Sequence, residues 1–209
     1  MPEHVPEQWS GAVDMDAAAP PFDRNPSAWS QRWPIAALAG VATLISSYMA
    51  LFQWGLVPSA WDPVFGDGTE TVLRSEESHR MYRFLFVPDA AFGAWGYLSE
   101  AVLGLVGSTR RWQLRPWLVL LFGLDVIPLG VVSAVLVVVQ GVSIGSWCFL
   151  CLVTAAISLL LIVFAYDEVW ASVKYLLRVW RHHRDWRLLL RTFCGIPSEE
   201  AHRLATVRE

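Results

Sequence analysis

Apolar residues run through this chain in four long blocks separated by polar segments. The blocks span Pro34 to Val57, Asp89 to Gly107, Trp117 to about Val142, and Trp147 to Tyr166. About 20 apolar residues cross a hydrocarbon core ~30 Å thick, so each block predicts a membrane span. Together they predict an all-α membrane protein, a four-transmembrane-helix bundle. Glu100 interrupts the second block, and Asp125 and Pro128 the third. A buried helix of a soluble domain is the alternative for any one block, and four in succession argue against it.

Beyond the fourth block, from about Glu168 to Thr192, basic residues alternate with Val169, Trp170, Val173, Leu176, Leu177, Trp180 and Leu188. This pattern predicts a cytoplasmic basic amphipathic helix along an anionic membrane surface. A partner-docking helix is the alternative. Residues 1–31 hold five acids, five prolines and one arginine with little periodicity, and predict a disordered cytoplasmic tail. The expected organisation is a tail over 1–31, a membrane domain over 32–167 and a basic amphipathic tail over 168–209.

Composition strengthens the membrane reading. Of 209 residues, 55% are hydrophobic and 17% charged. Many of the 12 tryptophans sit near predicted helix ends, as an interfacial belt requires. The first apolar block is too long, and too far from the start, for a cleavable signal peptide. Charge sets the expected orientation. Arg24 and Arg32 precede the first span, Arg110, Arg111 and Arg115 fill the loop between the second and third, and Lys174, Arg178, Arg181, Arg184, Arg187 and Arg191 follow the fourth. All lie on one side of an even number of spans. The positive-inside rule then places both termini in the cytoplasm of a cell membrane, expected to be a bacterial inner membrane, with the loop from 58 to 88 outside. No phosphate-binding glycine loop and no metal-spaced cluster is present. The arginine excess carries no pattern for nucleic acid.

The candidate chemistry lies in Cys148-Phe149-Leu150-Cys151, at the head of the fourth span. Residues three apart share a helical face, so the sulfurs can approach bonding distance. With Ser146 as cap, Cys148 would lie in the first turn, where helix N–H groups favour a thiolate. Cys148 would then face water and Cys151 the membrane, an arrangement suited to passing electrons from a thiol to a quinone. Two small buried hydrophobes, or half a zinc site, are the other readings of the spacing. Cys194, in the opposite tail, is expected to be a reduced structural thiol.

Four helices, the Cys148–Cys151 pair at the start of the fourth, and "VPDAAFGAWGYL" (Val87 to Leu98) entering the second resemble the vitamin K epoxide reductase family over about Trp33 to Tyr166. The resemblance implies a bundle holding a membrane quinone, menaquinone or ubiquinone. It makes Cys151 the quinone-facing sulfur and Cys148 the sulfur that exchanges with thiols. Asp89 falls at the position of a residue that hydrogen-bonds the quinone, and is equally suited to cap a helix. Phe65 and Trp147 are further candidates for quinone contact; Trp61 and Phe65 suit a lid or an interfacial anchor. The family's loop cysteine pair is missing: Trp61 and Thr69 stand in its place. The resemblance therefore implies a thiol–quinone oxidoreductase fed directly by a thiol, for example from an outer-side thioredoxin-like protein. A non-catalytic quinone- or partner-binding protein and a small transporter remain alternatives. Glu100 and Asp125 suit either a proton route or a neutral hydrogen-bonded pair, the pair being preferred.

Overall fold

A computed structural model describes residues 25–196, and every regular element among them is helical. These elements are α1 (Trp29–Gln53), α2 (Gly68–Leu73), α3 (Glu76–Leu85), α4 (Asp89–Leu105), α5 (Arg111–Leu114), α6 (Pro116–Val139), α7 (Phe149–His183) and α8 (Trp186–Phe193). A π-helical turn, Gln140–Ile144, extends α6. α4 packs on α1 and α6, and α7 packs on α6 and α1, which closes a four-helix ring. α1, α6 with its π turn, and α7 are each long and apolar enough to cross a membrane. α4 is shorter, at 17 residues, because Val106 turns extended and Gly107 takes φ 96°.

The bundle is held by an apolar centre in which Ile35, Ala39 and Ala42 of α1 meet Tyr97, Phe122, Val126, Leu129, Ile157 and Leu161. Small residues set the spacing. A side-chain carbon on Gly96 would press into Leu129, and one on Gly130 into Ile162. This use of glycine for close backbone approach is common where helices pack in a membrane.

Two sequence expectations change. The basic segment from Glu168 to Thr192 is not one separate helix: α7 continues unbroken to His183, with no glycine or proline to stop it, and α8 follows. Arg184 then adopts a left-handed conformation (φ 47°), and Asp185 caps α8 by accepting the Arg187 N–H. The loop from 58 to 88 carries α2 and α3. Of the predicted tail, residues 1–24 lie outside the described residues, while Asn25, Ser27 and Ala28 are buried and lead directly into α1.

The arginines counted for orientation divide into two kinds. Arg32 and Arg111 are fully buried and act inside the fold, not as surface charges. Arg32 donates to the carbonyls of Gly104, Leu105, Val106 and Gly107 at distances of 2.8, 2.6, 3.0 and 2.9 Å. Arg111 donates to Leu103 and, at 2.8 Å, to Val106, and grips Glu168 through two N–H groups, each at 2.6 Å. Ser27 also donates to Glu168. The last carbonyls of a helix have no partner of their own. At α4 two guanidinium groups supply them, and Glu168 balances one of the charges.

Removing one member of a buried ion pair strands the other, at about 3–5 kcal/mol. Arg111→Gln and Glu168→Gln should each lower the thermal midpoint of the solubilised full chain by several degrees. Arg111→Met with Glu168→Met should cost less than either single change, because no buried charge of the pair is left alone. A double variant less stable than both singles would show that the pair is not the source of the cost.

Candidate functional site

The polypeptide enters α7 through Gly145, whose positive φ of 68° closes the π turn. Cys148 itself, not Ser146, is the N-cap, in extended conformation (φ −99°, ψ 112°). Its sulfur accepts the Cys151 N–H at 3.0 Å, and the two cysteines form a disulfide with Cα atoms 5.2 Å apart. The Cys148 N–H is taken by Oε1 of Gln140, a buried residue of the π turn, at 3.0 Å. Burial changes the expectation for Cys148, which is not open to water. Cys148 is fully enclosed, whereas Cys151 is half-buried. Around the pair stand Met49, Ala50, Ala90 and Leu150, and the Met49 sulfur lies 3.7 Å from that of Cys151.

One carboxylate docks the preceding loop over this helix end. Oδ1 of Asp62 accepts the N–H groups of Val64 and Phe65 at 3.0 and 2.7 Å. Oδ2 accepts the N–H and hydroxyl of Thr69 at 3.1 and 2.7 Å, and reaches the N–H of Phe149 at 3.3 Å. An anion at a helix N-terminus meets unpaired N–H groups and a favourable dipole. Burial alone would raise the Asp62 carboxyl, but the bonds from Phe65, Thr69, Val64 and Phe149 outweigh it and hold it at about 2. The tyrosine hydroxyl of Tyr48 donates to Ser59 and accepts the Trp61 N–H, and the Trp61 ring meets Phe149 edge-on at 6.1 Å. Gly68 sits against the Trp147 carbonyl, where a side chain would collide. Of the two positions that stand in for loop cysteines, Thr69 is thus buried under Asp62, and Trp61 is exposed.

The other candidates occupy different places. Asp89 does not cap α4; Pro88 holds that position. The Asp89 carboxylate accepts from Gln53 Nε2 and, at 3.2 Å, from Ser78 Oγ, while Gln53 also donates to Ser78 and accepts the Ala90 N–H. This clasp joins α1, α3 and α4, and Ala90 carries it to the apolar cluster around the cysteines. The Phe65 side chain is 40% exposed on the loop, and Trp147, 41% exposed, lies against Gly141. Glu100 and Asp125 are not hydrogen-bonded to each other. Ser99 donates to Asp125, and Glu100 is buried with Oε2 unpartnered among the described residues. Tyr97, Ser133 and Ser158 form a hydroxyl cluster in the bundle. Cys194 is free and exposed beyond α8.

Sequence reading missed Gln140, Gln53 and the docking role of Asp62. Each had a faint signal. Gln140 is a lone amide at the end of a valine run, Gln53 a lone amide inside the first apolar block, and Asp62-Pro63 is a turn-forming pair.

A family model described as the vitamin K epoxide reductase family matches residues 33–166. No curated protein and no solved structure matches the chain.

The geometry makes Asp62 the latch over Cys148. Asp62→Ala should speed reduction of the disulfide by a phosphine roughly 10-fold, if one charge-assisted bond across the loop is lost. The Asp62 carboxyl lies below its ordinary value in the folded chain. Its stabilisation is therefore full above about pH 4 and is lost as pH falls toward 2. The reduction rate of the wild type, taken relative to Asp62→Ala, should approach that of the variant only in this acid window. Equal rates for both at neutral pH would remove the latch.

Proposed function

The chain belongs to the vitamin K epoxide reductase family, and from that premise we propose that it is a membrane thiol–quinone oxidoreductase of four transmembrane helices. Membership supports a membrane oxidoreductase in general terms. The observation that carries the finer reading is the Cys148–Cys151 disulfide at the head of a membrane-length helix, with Cys151 beside an apolar cluster.

A donor thiolate attacks the Cys148 sulfur and forms a mixed disulfide, and Cys151 leaves as the thiolate. The donor's second thiol then resolves the mixed disulfide and frees Cys148. The donor is now oxidised, and the pair holds two electrons and two protons. A quinone bound against Cys151, menaquinone or ubiquinone, supplies the acceptor for both as the disulfide reforms. Met49, Ala90 and Leu150 offer the apolar wall such a ring needs. Asp89, like the carbonyl oxygens of a quinone, accepts hydrogen bonds when ionised, and the amide hydrogens of Gln53 are committed to it and to Ser78. Asp89 therefore serves the site by fixing the α1–α3–α4 corner, with Phe65 and Trp147 at the loop edge. Because Cys148 is enclosed, the Asp62 loop must lift before a protein thiol, such as that of an outer-side thioredoxin-like protein, reaches it. That same enclosure, with no loop cysteine to relay electrons, favours the second reading, a non-catalytic quinone- or partner-binding protein.

A thioredoxin-like donor stripped of its second cysteine separates the two. Its single thiolate, offered the wild-type disulfide, should displace Cys151 and stay on Cys148 as a reductant-sensitive adduct, because no second donor thiol is there to resolve it. Wild-type chain with the intact two-cysteine donor should oxidise more than one equivalent of it only when quinone is added. No adduct, and no quinone-dependent oxidation, would leave the binding reading.

Both termini are proposed to be cytoplasmic in a bacterial inner membrane. Exposed Cys194 reports this directly: a membrane-impermeant maleimide should spare it in intact cells and label it after permeabilisation. Labelling in intact cells would invert the topology.

A further inference from the structure

We propose that a groove on the far end of α7 is a binding site for the phosphate of an anionic phospholipid. The helix has 35 residues, about 52 Å at 1.5 Å per residue. About 20 of them cross a hydrocarbon core of ~30 Å. Counted from the cysteine end, the core is spent near Glu168, and the remaining turns pass through the headgroup layer of the opposite leaflet.

In those turns Trp170, Lys174, Leu177, Arg178, Arg181 and His182 line a groove of about 390 Å³. Their spacing of four, three, one, three and one places them on one helical face. The other face is closed: Ala171, Tyr175 and Val179 are buried against Trp112 and Val119. The groove therefore faces away from the protein. Lys174 lies over the Trp170 ring at 5.5 Å, and Tyr166 stacks on that ring from the membrane side at 6.3 Å. Of the acids on this stretch, Glu168 is bound to Arg111 on the buried side and Asp185 caps α8. Asp167, exposed one turn before Trp170, is a single carboxylate against the three cations Lys174, Arg178 and Arg181 of the groove.

Depth and chemistry choose the occupant. A free anion would use the cationic groups alone and leave Trp170 and Leu177, 43% and 45% exposed, in water. A phospholipid satisfies both, with its phosphate on Lys174 and Arg181 and its glycerol and upper acyl carbons on Trp170 and Leu177. Tryptophan at this level is the usual interfacial anchor, and basic groups beside a span attract anionic lipid.

The test uses the full chain reconstituted in phosphatidylcholine vesicles with and without phosphatidylglycerol, then extracted, with the retained lipid measured by mass spectrometry. Wild-type protein should retain phosphatidylglycerol over phosphatidylcholine. Lys174→Gln and Arg181→Gln should each lower that preference about 5-fold, and the double variant roughly 30-fold. Arg187→Gln, outside the groove, should leave it unchanged. Absence of selection by wild-type protein overturns the site, and this arm needs no variant to fold. Equal selection by the double variant also overturns it. So does displacement of the retained lipid by inorganic phosphate at matched concentration, which would assign the groove to a free anion. None of these readouts depends on redox activity, so the site stands or falls apart from the oxidoreductase reading.

Discussion

The end of α4 that lies away from the cysteines depends on two buried guanidinium groups. A helix that stops inside a bundle leaves carbonyls without partners, and in a low-dielectric surrounding each one costs free energy. Arg32 from α1 and Arg111 from the short α5 supply the donors, and Glu168 from α7 holds Arg111 with two short bonds. One cluster thereby fixes α1, α4 and α7 relative to one another. That registry carries along the helices to their other ends, where Met49 of α1, Ala90 of α4 and the cysteines of α7 must meet.

At the cysteine end the same problem appears with its sign reversed. The head of α7 presents N–H groups, and acceptors come to it from elsewhere in the chain. Gln140 takes the Cys148 N–H, the Cys148 sulfur takes that of Cys151, and Asp62 takes that of Phe149. The disulfide thus sits inside a helix terminus whose N–H groups at Cys148, Phe149 and Cys151 all find acceptors. Opening it disturbs more than a sulfur–sulfur bond, because Cys148 is both half of the disulfide and the cap. The Asp62 loop shares that terminus, so access to the pair and order in the loop are one physical question.

The family assignment and the enclosed pair sharpen what is unusual in this chain. At the two positions where the resemblance leads one to expect loop cysteines, Thr69 is a buried hydroxyl under Asp62 and Trp61 an exposed indole packed edge-on to Phe149. The loop has kept a docked structure through hydrogen bonds and an aromatic contact. Direct exchange at Cys148 is the chemistry that such a loop leaves to an oxidoreductase.

The sequence by itself determined the helices, the apolar character of the bundle and the position of the cysteine pair at a helix head. These follow from patterns within a few turns of chain, and the hydrophobic effect reads such patterns locally. It also carried the family, through the order of spans and the placement of Cys148 and Cys151. The unbroken run of α7 to His183 was legible too, in the absence of glycine and proline after Phe149, but the change from apolar to basic composition masked it. Tertiary structure alone decided which polar groups satisfy which helix ends. Arg111 looks like any loop arginine until Glu168, 57 positions away, is seen in contact with it. Asp62 meets Phe149 across 87 positions, and Asp89 finds Gln53 across 36. A hydrogen bond needs two groups within about 3 Å. One sequence states both residue types and neither their separation nor which of many carboxylates, amides and guanidinium groups the packing will bring together.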